Sequence, residues 1–161
     1  MGLGNIKLLT LKGGANMADL SAFATKDNAE EGVVIPVKID GMKLPIALRI
    51  YGSDSDVVRQ YERERIRKLG IGKNGKNEID EDEFEELLES DEGIIVRIGG
   101  IYAYDWKKKT VIDEPTVLYE KTLGCDKKSY EYLIENLPAL KDWVMEHSND
   151  RSNFLSEGKK N

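Results

Sequence analysis

A chain of 161 residues with 40% hydrophobic and 34% charged side chains can close one core over roughly two-thirds of its unfolded surface, so one domain is expected. Its net charge of −6 and pI near 5.0 repel a bare phosphate backbone at long range, which removes nucleic acid from the first rank of partners. A single cysteine, Cys125, excludes an internal disulfide, and a single histidine, His147, excludes a Cys/His metal cluster.

Residues 1–16 carry one short apolar piece, Ile6 to Leu11, interrupted by Lys7 and followed by Gly13-Gly14. A secretory signal needs a continuous apolar stretch and a membrane span about 20 apolar residues, and neither is present here. Met17-Ala-Asp-Leu20 reads as a natural start. Residues 1–16 are therefore expected to be a leader or a disordered arm, 17–155 a single α+β domain, and 156–161 a disordered polar tail. Asp19 to Glu31 is an irregular or short helical lead-in with a local cluster at Leu20, Phe23 and Ala24.

Val33–Ile39 and Leu44–Ile50 are apolar segments joined by Asp40-Gly41, a dipeptide suited to positive φ in a hairpin turn. Leu44, Ile46, Leu48 and Ile50 alternate with Pro45, Ala47 and Arg49, the period of a half-buried strand. Pro36 and Pro45 each remove a ladder donor, which predicts that both strands present those positions to an open edge able to accept another chain. A first long helix is expected from about Asp54 to Leu69, capped by Ser53 or Ser55 and ended by Gly70, with Val57, Val58, Tyr61, Ile66 and Leu69 along one face. Gly70 to Asn77 lacks periodicity and reads as a mobile loop.

A second helix is expected from Asp80, where Asp80-Glu-Asp-Glu83 suits the positive end of the helix dipole. Its buried stripe would be Phe84, Leu87, Leu88, Ile95 and Ile98, and Gly99-Gly100 would end it, although the β-branched run Ile94 to Ile98 also reads as a strand. Ile101–Trp106 and Thr110–Ile112 form a second, smaller extended pair around Lys107-Lys-Lys109. Pro115 is placed as the first residue of a short helix, Thr116 to Leu123. Asp126 or Ser129 opens another helix, and Pro138 starts the last, with Leu140, Trp143, Val144, His147, Phe154 and Leu155 near one face. The expected fold is thus α+β: one β-hairpin plus a small extended pair packed against four or five α-helices.

None of the chemical motifs is complete. Asn74 to Phe84 resembles the back half of a calcium-binding loop, but aligning Glu83 to its last ligand puts Gly72, Lys76 and Asn77 where carboxylates and the turn glycine belong. The glycine pairs lack a phosphate-loop lysine or a dinucleotide fingerprint, the carboxylates from Asp80 to Glu92 read as a wet face, and Cys125 with His147 lacks an orienting motif. Lys107-Lys-Lys109 with Tyr102, Tyr104 and Trp106 is thin support for a nucleic-acid surface on an acidic chain. The expectation is a protein without catalytic residues, cofactor or metal.

Taken in order, Asp19-Leu-Ser-Ala-Phe-Ala24, the Val33 to Ile50 hairpin, Gly52-Ser-Asp-Ser-Asp56 with its arginine-rich helix, the acidic Glu81 to Leu88 stretch and Asp150-Arg-Ser-Asn-Phe-Leu155 resemble the tail assembly chaperones of long-tailed bacteriophages. The resemblance spans residues 19–155; where many such proteins carry a tryptophan-glycine pair after the acidic helix, this chain has Ile98-Gly-Gly-Ile101. It implies a non-enzymatic protein of the infected host cytoplasm that binds and solubilises the tape measure protein, promotes tail tube assembly and leaves before the virion is complete. The implied partners are the tape measure protein, the tail tube protein, a frameshifted longer isoform and further copies of itself, with no membrane and no nucleic acid.

A tape measure is an extended, helical, apolar chain, so its chaperone needs exposed apolar stripes and enough charge for solubility. Val58 and Tyr61 on the first helix and Trp143 and Phe154 at the last are the expected partner or self-association surface, with Val33 to Val37 as an edge for strand addition; the competing reading of each is ordinary core. Two other functions stay in play: a structural subunit of the tail tube or tail joining region, and a small hydrolase using the acidic stretch.

Overall fold

The structure, a computed structural model, describes residues 18–72 and 90–155. The expected arm (1–16), most of the 70–77 loop, the acidic helix start at Asp80 to Leu88 and the tail (156–161) lie outside the described residues.

A 3-10 helix (Ser21–Phe23) and a short helix α1 (Lys26–Glu31) lead into strand β1 (Val33–Ile39). Strand β2 (Met42–Ile50) follows across a tight turn in which Asp40 and Gly41 both have positive φ, 51° and 81°, as the dipeptide demands. Helix α2 (Asp56–Gly72) starts where Ser55 Oγ accepts from the Val58 amide, and it runs past Gly70, which does not end it.

The second helix departs from expectation. Among the described residues it is α3 (Asp91–Ile95), opened by Ser90, whose Oγ accepts from the Gly93 amide at 3.2 Å. Ile98 and Gly99-Gly100 belong instead to strand β3 (Ile98–Asp105), because Ile98 pairs with Ile50 and Gly100 with Arg49. The β-branched run is split: its front half stays helical, and its end is taken by a waiting edge of β2. Strand β4 (Thr110–Ile112) returns antiparallel to β3. The hairpin and the extended pair are therefore not separate units but one sheet, ordered β1-β2-β3-β4.

That order corrects one edge assignment. β1 is an edge strand, but β2 is interior, paired on both sides. Pro45 is tolerated there because it falls in the register shift opposite β1, between Lys43 and Ala47, and just before Ile46, the first β2 residue paired with β3.

Residues 116–123 are not a helix but a second hairpin, β5 (Thr116–Leu118) and β6 (Lys121–Leu123), turning through Tyr119 and Glu120 at φ 52° and 66°. Pro115 mimicked a helix start; the flanking Thr, Val and Leu residues pair instead. Helix α4 (Lys127–Asn136) is capped by Asp126, whose carboxylate accepts from the Ser129 amide at 2.9 Å. Helix α5 (Ala139–Asn149) follows Pro138 and stops short of the expected end. Phe154 sits in a separate 3-10 helix (Arg151–Phe154) that Asp150 opens by accepting from the Ser152 amide.

The core lies between the main sheet and α3, α4 and α5: Val37, Ile46, Leu48 and Ile50 meet Ile94, Leu133, Ile134, Leu140 and Val144, with Phe154 closing one end. Five α-helices among the described residues and two antiparallel sheets make the fold α+β.

Candidate functional site

Two features of the structure bear on function. The first is a seam that ties α1, the turn after β2 and the C-terminal 3-10 helix together. Ser53 donates its amide to Ser148 O at 3.0 Å, and Ser148 Oγ donates to Tyr51 O at 2.8 Å. Asn28 Nδ2 donates to the carbonyls of Phe154 and Leu155 at 3.0 and 3.1 Å. Asp54 accepts two hydrogen bonds from Arg151, which hold its carboxyl below the usual range. Gly52 lets this happen: a Cβ there would stand 2.6 Å from the Ala29 Cβ and 3.3 Å from the Phe154 ring.

The second is a cleft of about 370 Å³ between α2, α3, the start of β3 and α4, lined by Tyr51, Val57, Tyr61, Ile95, Val96, Ile98 and Tyr130 with Arg65, Glu92 and Lys127 at its walls. Tyr51 reaches the cleft because Gly99 has no side chain; a Cβ at Gly99 would meet the Tyr51 ring at 2.7 Å. Tyr61 Oη and Ser90 Oγ share a hydrogen bond of 3.2 Å, the Arg65 guanidinium lies 5.3 Å from the Tyr61 ring centre, and Arg65 is ion-paired with Glu92. The Tyr130 phenol is pushed up to about 12, chiefly by burial, so it stays neutral at any physiological pH.

The cleft wall is held by Arg97, which is only 1% exposed. It donates from Nη1 to Gly93 O at 2.7 Å and from Nη2 to Glu62 Oε2 at 3.2 Å, linking α3 to α2. Its Nε is buried without a partner, and burial lowers its pKa against the opposing pull of Glu62.

Of the side chains expected on a partner surface, four are core. Val58 and Val37 are fully buried, Phe154 is 1% and Trp143 7% exposed, because α2, β1, α5 and the 3-10 helix turn these faces inward onto the chain's own sheet and helices. Val33 is half-buried and packs against the core from the edge strand. Only Tyr61 lines the cleft, where it is joined by residues that read from sequence as core or went unremarked: Tyr51, Ile95, Val96 and Tyr130. Val57, beside Val58 in the same apolar stripe, is the one left 42% exposed.

Other groupings are sparse. Cys125 Sγ lies 3.6 Å from Ile101 O, whereas the His147 ring lies against Trp143 and Asn153, so the two do not share a site. Among the described residues no three His, Cys, Asp or Glu side chains converge as metal ligands, and no helix is long and apolar enough to cross a membrane. Asp91, Glu92, Glu131 and Glu135 line a second concavity as an acidic wall between α3 and α4. Comparison of the chain with protein-family models, with curated proteins and with solved structures gives no match.

Proposed function

We propose that this protein is a tail assembly chaperone of a long-tailed bacteriophage, which binds and solubilises the tape measure protein in the host cytoplasm, promotes tail tube assembly and is left out of the mature virion. The observation that carries the reading is the seam. Two of the separated stretches that carry the resemblance, Gly52 to Asp56 and Asp150 to Leu155, are joined by Asp54–Arg151, with Ser53–Ser148 beside it, and the two Asn28 bonds tie α1 to the second of them. The open cleft supports the same reading. It offers an apolar floor and charged walls, which suits holding an amphipathic helix.

Co-expression with the long coiled-coil product of the adjacent gene tests this. The partner should be recovered soluble and co-purify with this protein, and should aggregate without it; no rescue and no co-purification would end the reading. Purified particles analysed by mass spectrometry should lack the protein. Its presence there at ring stoichiometry would instead make it a tube or joining subunit.

A further inference from the structure

We propose that the face of the main sheet turned away from the helices binds single-stranded nucleic acid. Ile46, Leu48 and Ile50 point into the core, so the alternate β2 positions Lys43, Ala47 and Arg49 lie on the opposite face, where the register sets Tyr102 across from Ala47 and Lys38 across from Lys43. Tyr102, Tyr104 and Trp106 follow at every second residue of β3 and its turn, a row of half-buried rings spaced about 7 Å apart along the strand. Tyr104 and Trp106 meet edge to face with ring centres 5.2 Å apart, and Trp106 is pinned by donating Nε1 to Leu44 O at 2.6 Å. The spacing of the row is roughly twice the 3.4 Å step of a stacked strand, so an extended strand can lay successive unstacked bases against successive rings.

The cations gather beside the rings. Lys43 Nζ lies 5.4 Å from the Trp106 ring centre, and Lys107, Lys108 and Lys109 are presented by a turn already fixed by Asp105, whose carboxylate accepts from the amides of Lys107 and Lys108 at 2.9 and 3.2 Å. With Lys38 they make five exposed lysines, and among the described residues none of them is ion-paired, whereas Lys26, Arg59, Arg65, Arg97, Lys141 and Arg151 all are. Lys38 and Lys43, like charges directly opposite each other, cost the sheet stability, and an anion bound between them removes that cost. The net charge of −6 opposes a polyanion at long range, but screening over about 8 Å at physiological ionic strength leaves the unpaired lysines to decide at contact. The rings distinguish the occupant from an acidic peptide, whose carboxylates would engage the lysines and leave the stacking row unused. This face shares no residue with the α2–α3–α4 cleft, so the inference stands apart from tape measure binding.

Fluorescence anisotropy of a labelled oligo(U) of about 12 nucleotides, titrated with the full chain at low salt, reads the interaction. Binding should quench tryptophan emission through Trp106, because Trp143 is 7% exposed and lies in the core. The logarithm of the affinity should fall against the logarithm of salt concentration with a slope of about −3, and Lys108→Gln should make that slope shallower by about 0.7. Tyr104→Ala, checked for an unchanged circular dichroism spectrum, should weaken binding on the order of tenfold and leave the slope in place. No binding at low salt, a slope that Lys108→Gln does not move, or full affinity in Tyr104→Ala would overturn the proposal. So would a polyglutamate peptide of matched charge that binds as tightly without quenching Trp106, which would make the face an acidic-peptide site instead.

Discussion

Arg151 grips Asp54 with both arms of its guanidinium, donating from Nε at 2.7 Å and Nη2 at 2.9 Å to a carboxylate 97 residues earlier in the chain. The pair closes the seam between the turn before α2 and the 3-10 helix Arg151–Phe154, and it sits beside the backbone bond from Ser53 to Ser148. Bidentate geometry makes it more than an incidental surface contact.

The pH dependence follows from that pair. Asp54 is depressed first by the Arg151 hydrogen bonds, so its contribution is present above the unfolded carboxylate value of about 3.9 and is lost as pH falls through the lower folded value. Asp54→Asn should melt a few degrees below wild type at neutral pH, and the gap should close in acid. Thermal melts of both proteins across that range check it; coincident melting at neutral pH would mean the pair contributes nothing.

Phe154 is core, not partner surface. Phe154→Ala should cost about 3–5 kcal/mol in urea denaturation, because the ring is 1% exposed and fills the space that Gly52 and Ala29 leave. A loss under about 1 kcal/mol would mean that the terminal 3-10 helix is not docked on the core in solution.

The β5–β6 turn is strained. Tyr119 and Glu120 hold φ values of 52° and 66°, which L side chains adopt at a cost of roughly 1–2 kcal/mol per residue and which Asn-Gly adopts readily. Replacing the two by Asn-Gly should raise stability by about 1 kcal/mol without altering the spectrum of the folded protein. Unchanged or lower stability would count against the turn as described.

Arg97 should show the asymmetry of a buried ion. Glu62→Ala strands the guanidinium and should cost roughly 3 kcal/mol, whereas Arg97→Met removes the charge itself and should cost less. Denaturation midpoints of the two variants give the order directly, and the reverse order would show that the Gly93 bond outweighs the charge.

The local signals were readable where one residue type carries the conformation. Asp40-Gly41 marks its hairpin, Ser55 and Asp126 open their helices, and Pro138 starts α5. They misled where a local cue had two meanings. Pro115 suits a helix start and a strand lead equally, and Tyr119-Glu120 carries no turn signature, so the β5–β6 hairpin was invisible. Ile94 to Ile98 has no local preference strong enough to decide between helix and strand, and pairing of Ile98 with Ile50 decides it.

By itself, then, the sequence determined the α+β class, the first hairpin and most helix caps, because these depend on backbone preferences within a few residues. The tertiary structure alone decided that two extended pairs merge into one sheet, that Val58, Trp143 and Phe154 face inward while Val57 and Tyr61 reach the cleft, and that Asp54 meets Arg151. Those outcomes rest on contacts between distant segments: periodicity marks a stripe as apolar, but only the packed partner determines which of its members water can still reach.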